Sequence, residues 1–443
     1  VKNSWAIWPL LFVLIPLRAQ NIEYTEFTLD NGLHVILHQD NATPIVAVSL
    51  FYHVGSKNEN PERTGFAHFF EHLLFEGSKH MKRGDFDKLL LNAGATNNAT
   101  TDQDRTFYYE VLPSNQLELG LWMEAERMLH ANILQEGVDT QREVVKEERR
   151  MRVDNRPYGS FMEQIFKHAY SQHPYRWSVI GSLEHLNQAS LEEFMAFYKE
   201  FYVPDNAILS IAGDLDVGQT KQLVNKYFGD IPRGEKPIKR PEIVEPEQTA
   251  EIRDVIYDNV QLPGVMMSYR IPPQGTPDFY ALDMLMTLLS QGESSRLNKE
   301  IKDRQQKALF TGAFPLPMED AGQSIIFSLV SMGVTPEELE AALEAEIDKV
   351  KQELISEKEL QKLRNQKENE FVNQNATVFG VAGNLARYHA YFGDTSLINK
   401  ELDRYLKVTR EDLQRVARKY LVKKNRVVLY YLPKAEQKKE KNG

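Results

Sequence analysis

His68-Phe69-Phe70-Glu71-His72 sets two imidazoles four residues apart, with a carboxylate beside the second. On a helix, positions 68 and 72 project from one face, one turn apart. Two imidazole nitrogens so placed can hold one zinc ion, with Glu71 near enough to serve an attacking water. With 11 histidines and 63 acidic residues in 443, chance would supply such a pentapeptide roughly 0.04 times. A catalytic zinc takes a third protein ligand and keeps one position open. The charged segment TQREVVKEERRMR, residues 140–152, offers Glu143, Glu147 and Glu148, and spacing alone does not choose among them.

These side chains need elements to hold them. Residues 65–76 contain no proline, carry apolar residues at helical spacing and stop at Gly77, which predicts a helix. Ile45–Tyr52 is β-branched and aromatic and reads as a buried strand. Phe27 to Leu37 reads as a hairpin turning at Asp30-Asn31-Gly32. Helices are expected over 117–129 and 138–153. Farther on, SLEEFMAFYKEFYVPDNAILSI from Ser190 is echoed by TREDLQRVARKYLVKKNRVVLY from Thr409, at a constant offset of 219 residues. A duplicated helix-turn-strand unit would produce that echo. Ten of the 11 histidines lie at or before His185, so only the first copy keeps histidine chemistry.

The organisation expected is a leader over 1–20, a zinc-binding domain over 21–232, a linker over 233–250 rich in proline, a related metal-free domain over 251–433, and a polar tail over 434–443. The leader has Lys2, an uncharged run from Trp5 to Leu17 and a small residue, Ala19, near its end. This is the shape of a secretory signal, and the apolar run is shorter than the ~20 residues a span needs. Export to a periplasmic or extracellular compartment is therefore expected, with no stable membrane span. The formal charge of −10 argues against nucleic acid as a partner. The absence of cysteine excludes disulfides, thiol nucleophiles and thiolate metal sites.

LDNGLHVIL, GFAHFFEHLLFEGS, GATNNATTDQDRTFYY and REVVKEERRM follow one another in order. Together they resemble the pitrilysin/insulinase family of inverzincin metallopeptidases, and most nearly its two-domain, mitochondrial-processing-peptidase-like, bacterial-type branch. The resemblance implies an α+β fold: two duplicated α/β-roll domains, each an antiparallel sheet backed by helices, arranged as a clamshell. It implies one zinc per chain on His68, His72 and Glu148, the last lying 76 residues beyond His72, with Glu71 as general base. Asn98, Ala99, Thr100 and Thr101 match the family's edge strand, which takes substrate backbone by strand addition. Gln141 stands seven residues before the third ligand, where the family usually has a glutamate that supports a ligand. An amide there can bond a histidine but brings no charge.

The activity so implied is zinc-dependent endoproteolysis of extended or unfolded peptides. The alternative is a catalytically silent peptide-binding or scaffold subunit of a peptidase heteromer, and the intact His68/Glu71/His72/Glu148 set weighs against it. In the family the second domain also supplies an arginine and a tyrosine seven residues apart. The matching stretch, LNKEIKDRQQKALF, has Lys302 with Leu309 and Phe310 at the corresponding distance, and Arg304 has no tyrosine seven residues on. The departure points to a heteromer in which a related chain brings the Arg–Tyr pair.

Overall fold

The computed structural model of the chain describes residues 21–440, so the expected leader and the last three residues of the tail lie outside the described residues. Six strands, β1 (Thr25–Thr28), β2 (His34–Gln39), β3 (Ile45–Tyr52), β4 (Thr96–Thr101), β5 (Thr106–Pro113) and β6 (Ala207–Gly213), form one sheet in the order β1-β2-β6-β3-β5-β4. Five more, β7 (Ile252–Asp258), β8 (Gly264–Ile271), β9 (Ala308–Leu316), β10 (Gly322–Val330) and β11 (Arg426–Pro433), form a second in the order β7-β11-β8-β10-β9. Omitting β1, the two orders are the same. Each sheet is antiparallel except for one parallel pair, β2 with β6 and β7 with β11. The two-roll α+β architecture is present.

The echoed segments are the same unit twice. Ser190 and Thr409 each cap a helix by accepting the amide of the third residue on, Glu193 and Asp412, whose carboxylates bond back. Asn206 and Asn425 each donate to the carbonyl five residues earlier, of Phe201 and Tyr420, both at 2.8 Å. That bond fixes the turn leading into β6 and into β11.

β3 carries an unbroken apolar run because both its faces are covered. Val46, Val48, Leu50 and Tyr52 enter the core of their own half. Ala47 and Phe51 enter a second core that the other half completes, through Val381, Ala382 and Leu385 of the helix Val378–Phe392. The exchange is mutual. Ile165, Phe166 and Ala169 of the helix Phe161–Ala169 lie against Met266, Ile325, Val427 and Leu429 of the second sheet.

Three local expectations are refined. The β1–β2 hairpin pairs Thr28 with His34, so its loop is five residues and longer than the Asp30-Asn31-Gly32 turn. Asn31 is buried and donates to the carbonyls of Phe228 and Ile231, which holds the loop against the C-terminal end of the helix Val217–Phe228. The histidine-bearing helix runs only over Phe66–Leu73, since the following amides of Phe75 and Glu76 turn back to carbonyls three residues earlier, of His72 and Leu73. The polar tail contains a helix over Lys434–Glu440, a stretch of good helix formers free of glycine and proline.

A charged knot also joins the halves. Lys57 Nζ lies 2.8 Å from Asp104 and 2.5 Å from Glu319, and His53 Nε2 lies 2.8 Å from the same Glu319 oxygen. Burial opposes the charge on Glu319, but His53 and Lys57 outweigh it and bring its carboxyl from the ordinary 4.5 to about 2. A depressed carboxyl stabilises the fold fully above its unfolded pKa, and the benefit is lost as pH falls from 4.5 towards 2. Asp104, pushed up by burial, acts in the opposite sense and softens the slope. Melting temperature measured against pH should therefore fall less steeply in this window for Glu319→Gln than for the parent. Identical slopes would show that the knot does not contribute.

Candidate metal centre

The motif helix is set by its ends and its apolar face. Its start is capped from a distance: Glu59, fully buried, accepts the amides of Gly65 at 2.8 Å and Ala67 at 2.9 Å. Gly65 itself has φ +95°, a left-handed conformation suited to glycine. Phe66, Phe69 and Phe70 stack on Phe194 and Phe197 of the helix Leu191–Phe201. With that face buried, His68 and His72 turn towards the helix Gln135–Arg149, which carries Glu148 near its end. That helix is tied down by Arg142, which donates to the carbonyls of Leu186 and Ala189.

His72 Nε2 lies 3.1 Å and His68 Nε2 3.5 Å from the same Glu148 oxygen. The two rings meet edge to face, 4.9 Å apart at 75°. The three donor atoms lie within 4.8 Å of one another. Arg152 holds the other Glu148 oxygen at 2.8 Å. Burial, with the neighbouring His72, lowers His68 to about 4, so its ring is neutral at neutral pH, as a metal ligand must be. Burial works to raise Glu148, but the bond from His72 and the nearby Arg152 guanidinium help to hold its carboxyl below the ordinary range. His68 Nδ1 is buried and has no hydrogen-bond partner. Two imidazole nitrogens and one carboxylate oxygen fit the donor set of a catalytic zinc, leaving one position for solvent or substrate.

The other two glutamates of the segment go elsewhere, Glu143 to Lys146 and Glu147 to Arg150. Glu71 stays out of the donor cluster and opens on the same groove as His72, its carboxyl raised by burial. β4 is an edge strand, paired only with β5, and its Asn98 and Ala99 line that groove. Thr100 and Thr101 continue the strand, opposite Phe107 and Thr106.

Gln141 requires a correction. Its amide donates to Glu76 at 2.5 Å, and neither His68 nor His72 is its partner. Glu76 also takes Arg83 at 3.2 Å. Gln141 thus couples the segment after the motif helix to the helix bearing Glu148.

The groove, about 510 Å³, is lined among the described residues only by positions between Glu71 and Arg152. Lys302 lies in a short helix, Asn298–Arg304, beside Glu293, while Leu309 and Phe310 lie half-exposed on the edge strand β9. None of them reaches the groove. Composition and spacing gave no warning of Phe75, Val144 and Met151, which form the groove's apolar wall. Val144 is 43% and Met151 63% exposed. The available signal was an apolar residue on the solvent face of an otherwise charged helix.

The family model described as insulinase, peptidase family M16, matches residues 34–182, and that of the M16 inactive domain matches 188–367. Zinc protease PqqE of Helicobacter pylori is 32% identical over 401 residues, covering 90% of either chain. The uncharacterized zinc protease Rv2782c of Mycobacterium tuberculosis is 29% identical, covering 62% of this chain and 63% of its own. Among solved structures, a protease from Helicobacter pylori matches with a TM-score of 0.89 at 30% identity, over 93% of this chain and all of that one. The periplasmic protease PqqL from Escherichia coli matches at 0.76 and 19% identity, over 92% of this chain and 47% of that one.

Proposed function

The chain belongs to the insulinase family of peptidases, M16, and from that premise we propose that it is a zinc-dependent endopeptidase acting on extended or unfolded peptides. In this reading His68, His72 and Glu148 hold one zinc and Glu71 is the general base. The observation that carries it is the convergence of two imidazole nitrogens and a carboxylate oxygen within 4.8 Å, beside the groove that Glu71 lines. Zinc, when bound, supplies Lewis acidity, acidifying water and polarising the scissile carbonyl.

The remaining work falls to the chain. Glu71 takes the proton from the attacking water and returns it to the leaving nitrogen. The free edge of β4 pairs with the substrate backbone, which admits only an extended segment. Phe75, Val144 and Met151 give one substrate side chain an apolar seat beside the metal. Arg152 and Glu148 fix each other's position at the opposite wall.

Among the described residues, no residue of 251–433 lines the groove. This supports a heteromer in which a related chain supplies the Arg–Tyr pair that Lys302, Leu309 and Phe310 do not provide. Purified protein assayed on a quenched-fluorescent peptide library should cleave slowly, lose that activity with a chelator, and turn over faster as the related chain is added. Chelator-insensitive cleavage would reject the zinc reading. Full activity from a strict monomer would reject the partner and leave the zinc reading intact.

A further inference from the structure

A second cluster repeats the donor chemistry of the first at a different place. Glu126 and His130 stand one turn apart near the end of the helix Leu117–His130, and His80 faces them from the loop after the motif helix. One atom from each lies within 4.8 Å of the other two. His80 Nδ1 is 2.8 Å from Glu126 Oε1. The rings of His80 and His130 meet edge to face, 5.5 Å apart at 85°, close to the 4.9 Å and 75° of the His68–His72 pair.

The loop is built to hold this shape. Lys79 donates its amide to the carbonyl of His130, and Asn132 donates its amide to Gly77, each at 3.0 Å. Ser78 pairs with Ala131 as an isolated bridge. The Ser78 hydroxyl donates to the second Glu126 oxygen at 2.7 Å, orienting the carboxylate from behind as supporting residues do in metal sites. Glu126 itself is buried, and His80 is open to solvent, which leaves a route for an ion.

By contrast, the cluster of Glu26, His34 and His389 stacks its two rings 3.5 Å apart and nearly parallel, at 9°. Parallel stacked imidazoles send their in-plane lone pairs side by side and not to one point. That cluster is therefore set aside.

We propose that His80, Glu126 and His130 form a second site for a divalent transition-metal ion of zinc's class. Two imidazoles and one carboxylate favour zinc, cobalt or nickel over magnesium or calcium, which prefer all-oxygen shells. The ion would tie the loop after the motif helix to the end of the helix Leu117–His130. Its role is to fasten these elements, and it adds no catalytic step.

The test counts metal with the first centre silenced. Metal-free His68→Ala/His72→Ala protein, dialysed against buffered zinc and measured by mass spectrometry, should take up about one equivalent and melt at a higher temperature with zinc than without. Adding His130→Ala, or separately His80→Ala on the exposed loop, should abolish both. Should the double variant fail to fold, His130→Ala in the parent should lower the content from about two equivalents to about one. A double variant that takes up no zinc at about 0.1 mM, or a parent content unmoved by His130→Ala and His80→Ala, overturns the proposal. The His130→Ala single variant keeps the two centres apart: if it retains no zinc, the assignment of His68, His72 and Glu148 fails instead.

Discussion

Glu71→Gln should leave the metal content of the protein unchanged and slow peptide hydrolysis by about a hundred- to ten-thousand-fold. Glu71 lines the groove but is not in the donor cluster, so replacing it removes no ligand. The amide has the size and shape of the acid, and the helix Phe66–Leu73 is held by its buried aromatic face and by Glu59. What the substitution removes is a group able to accept a proton from water. Zinc content and turnover measured on the same preparation separate these effects. Parent-like cleavage by the variant would show that the base lies elsewhere.

The second large effect is expected at the donors themselves. His72→Ala and Glu148→Ala should each weaken zinc binding at this centre by more than about a hundredfold and abolish cleavage at micromolar zinc. Neither side chain is fully buried, so circular dichroism melts of the metal-free proteins should stay close to the parent. Glu148→Ala has a further consequence, because Arg152 loses the carboxylate that holds it and gains freedom over the groove. His72→Ala leaves that pair intact. If either variant binds zinc at this centre as tightly as the parent, the ligand set is misassigned.

Much of this site was legible because helical geometry is rigid over one turn. A spacing of four residues from His68 to His72 suffices to put both rings on one face, and no tertiary information is needed. The place of Glu148 beside them was not legible in that way. Glu143, Glu147 and Glu148 share one charged helix, and only packing against the motif helix brings Glu148 to the histidines while its neighbours go to Lys146 and Arg150. Gln141 misled for the same reason: its position in the chain matches a supporting residue, but its amide reaches Glu76.

In the fold, Ile45–Tyr52 was readable as a buried strand, and the offset of 219 residues between Ser190 and Thr409 showed the duplication. An apolar run does not say what covers each face, so the exchange of helices between halves left no local trace. Likewise Asp30-Asn31-Gly32 marks a turn without revealing that Asn31 reaches Phe228 and Ile231, about two hundred residues away.

That exchange alters how the second half should be regarded. Its helix Val378–Phe392 forms the far wall of the sheet on which β4 and the histidine-bearing helix are built. Under the proposed function, truncating Val381 or Leu385 would therefore disturb peptide cleavage from a half that carries none of the proposed ligands. Such a half is not a removable appendage: each half closes a core of the other, so neither would fold into this shape alone.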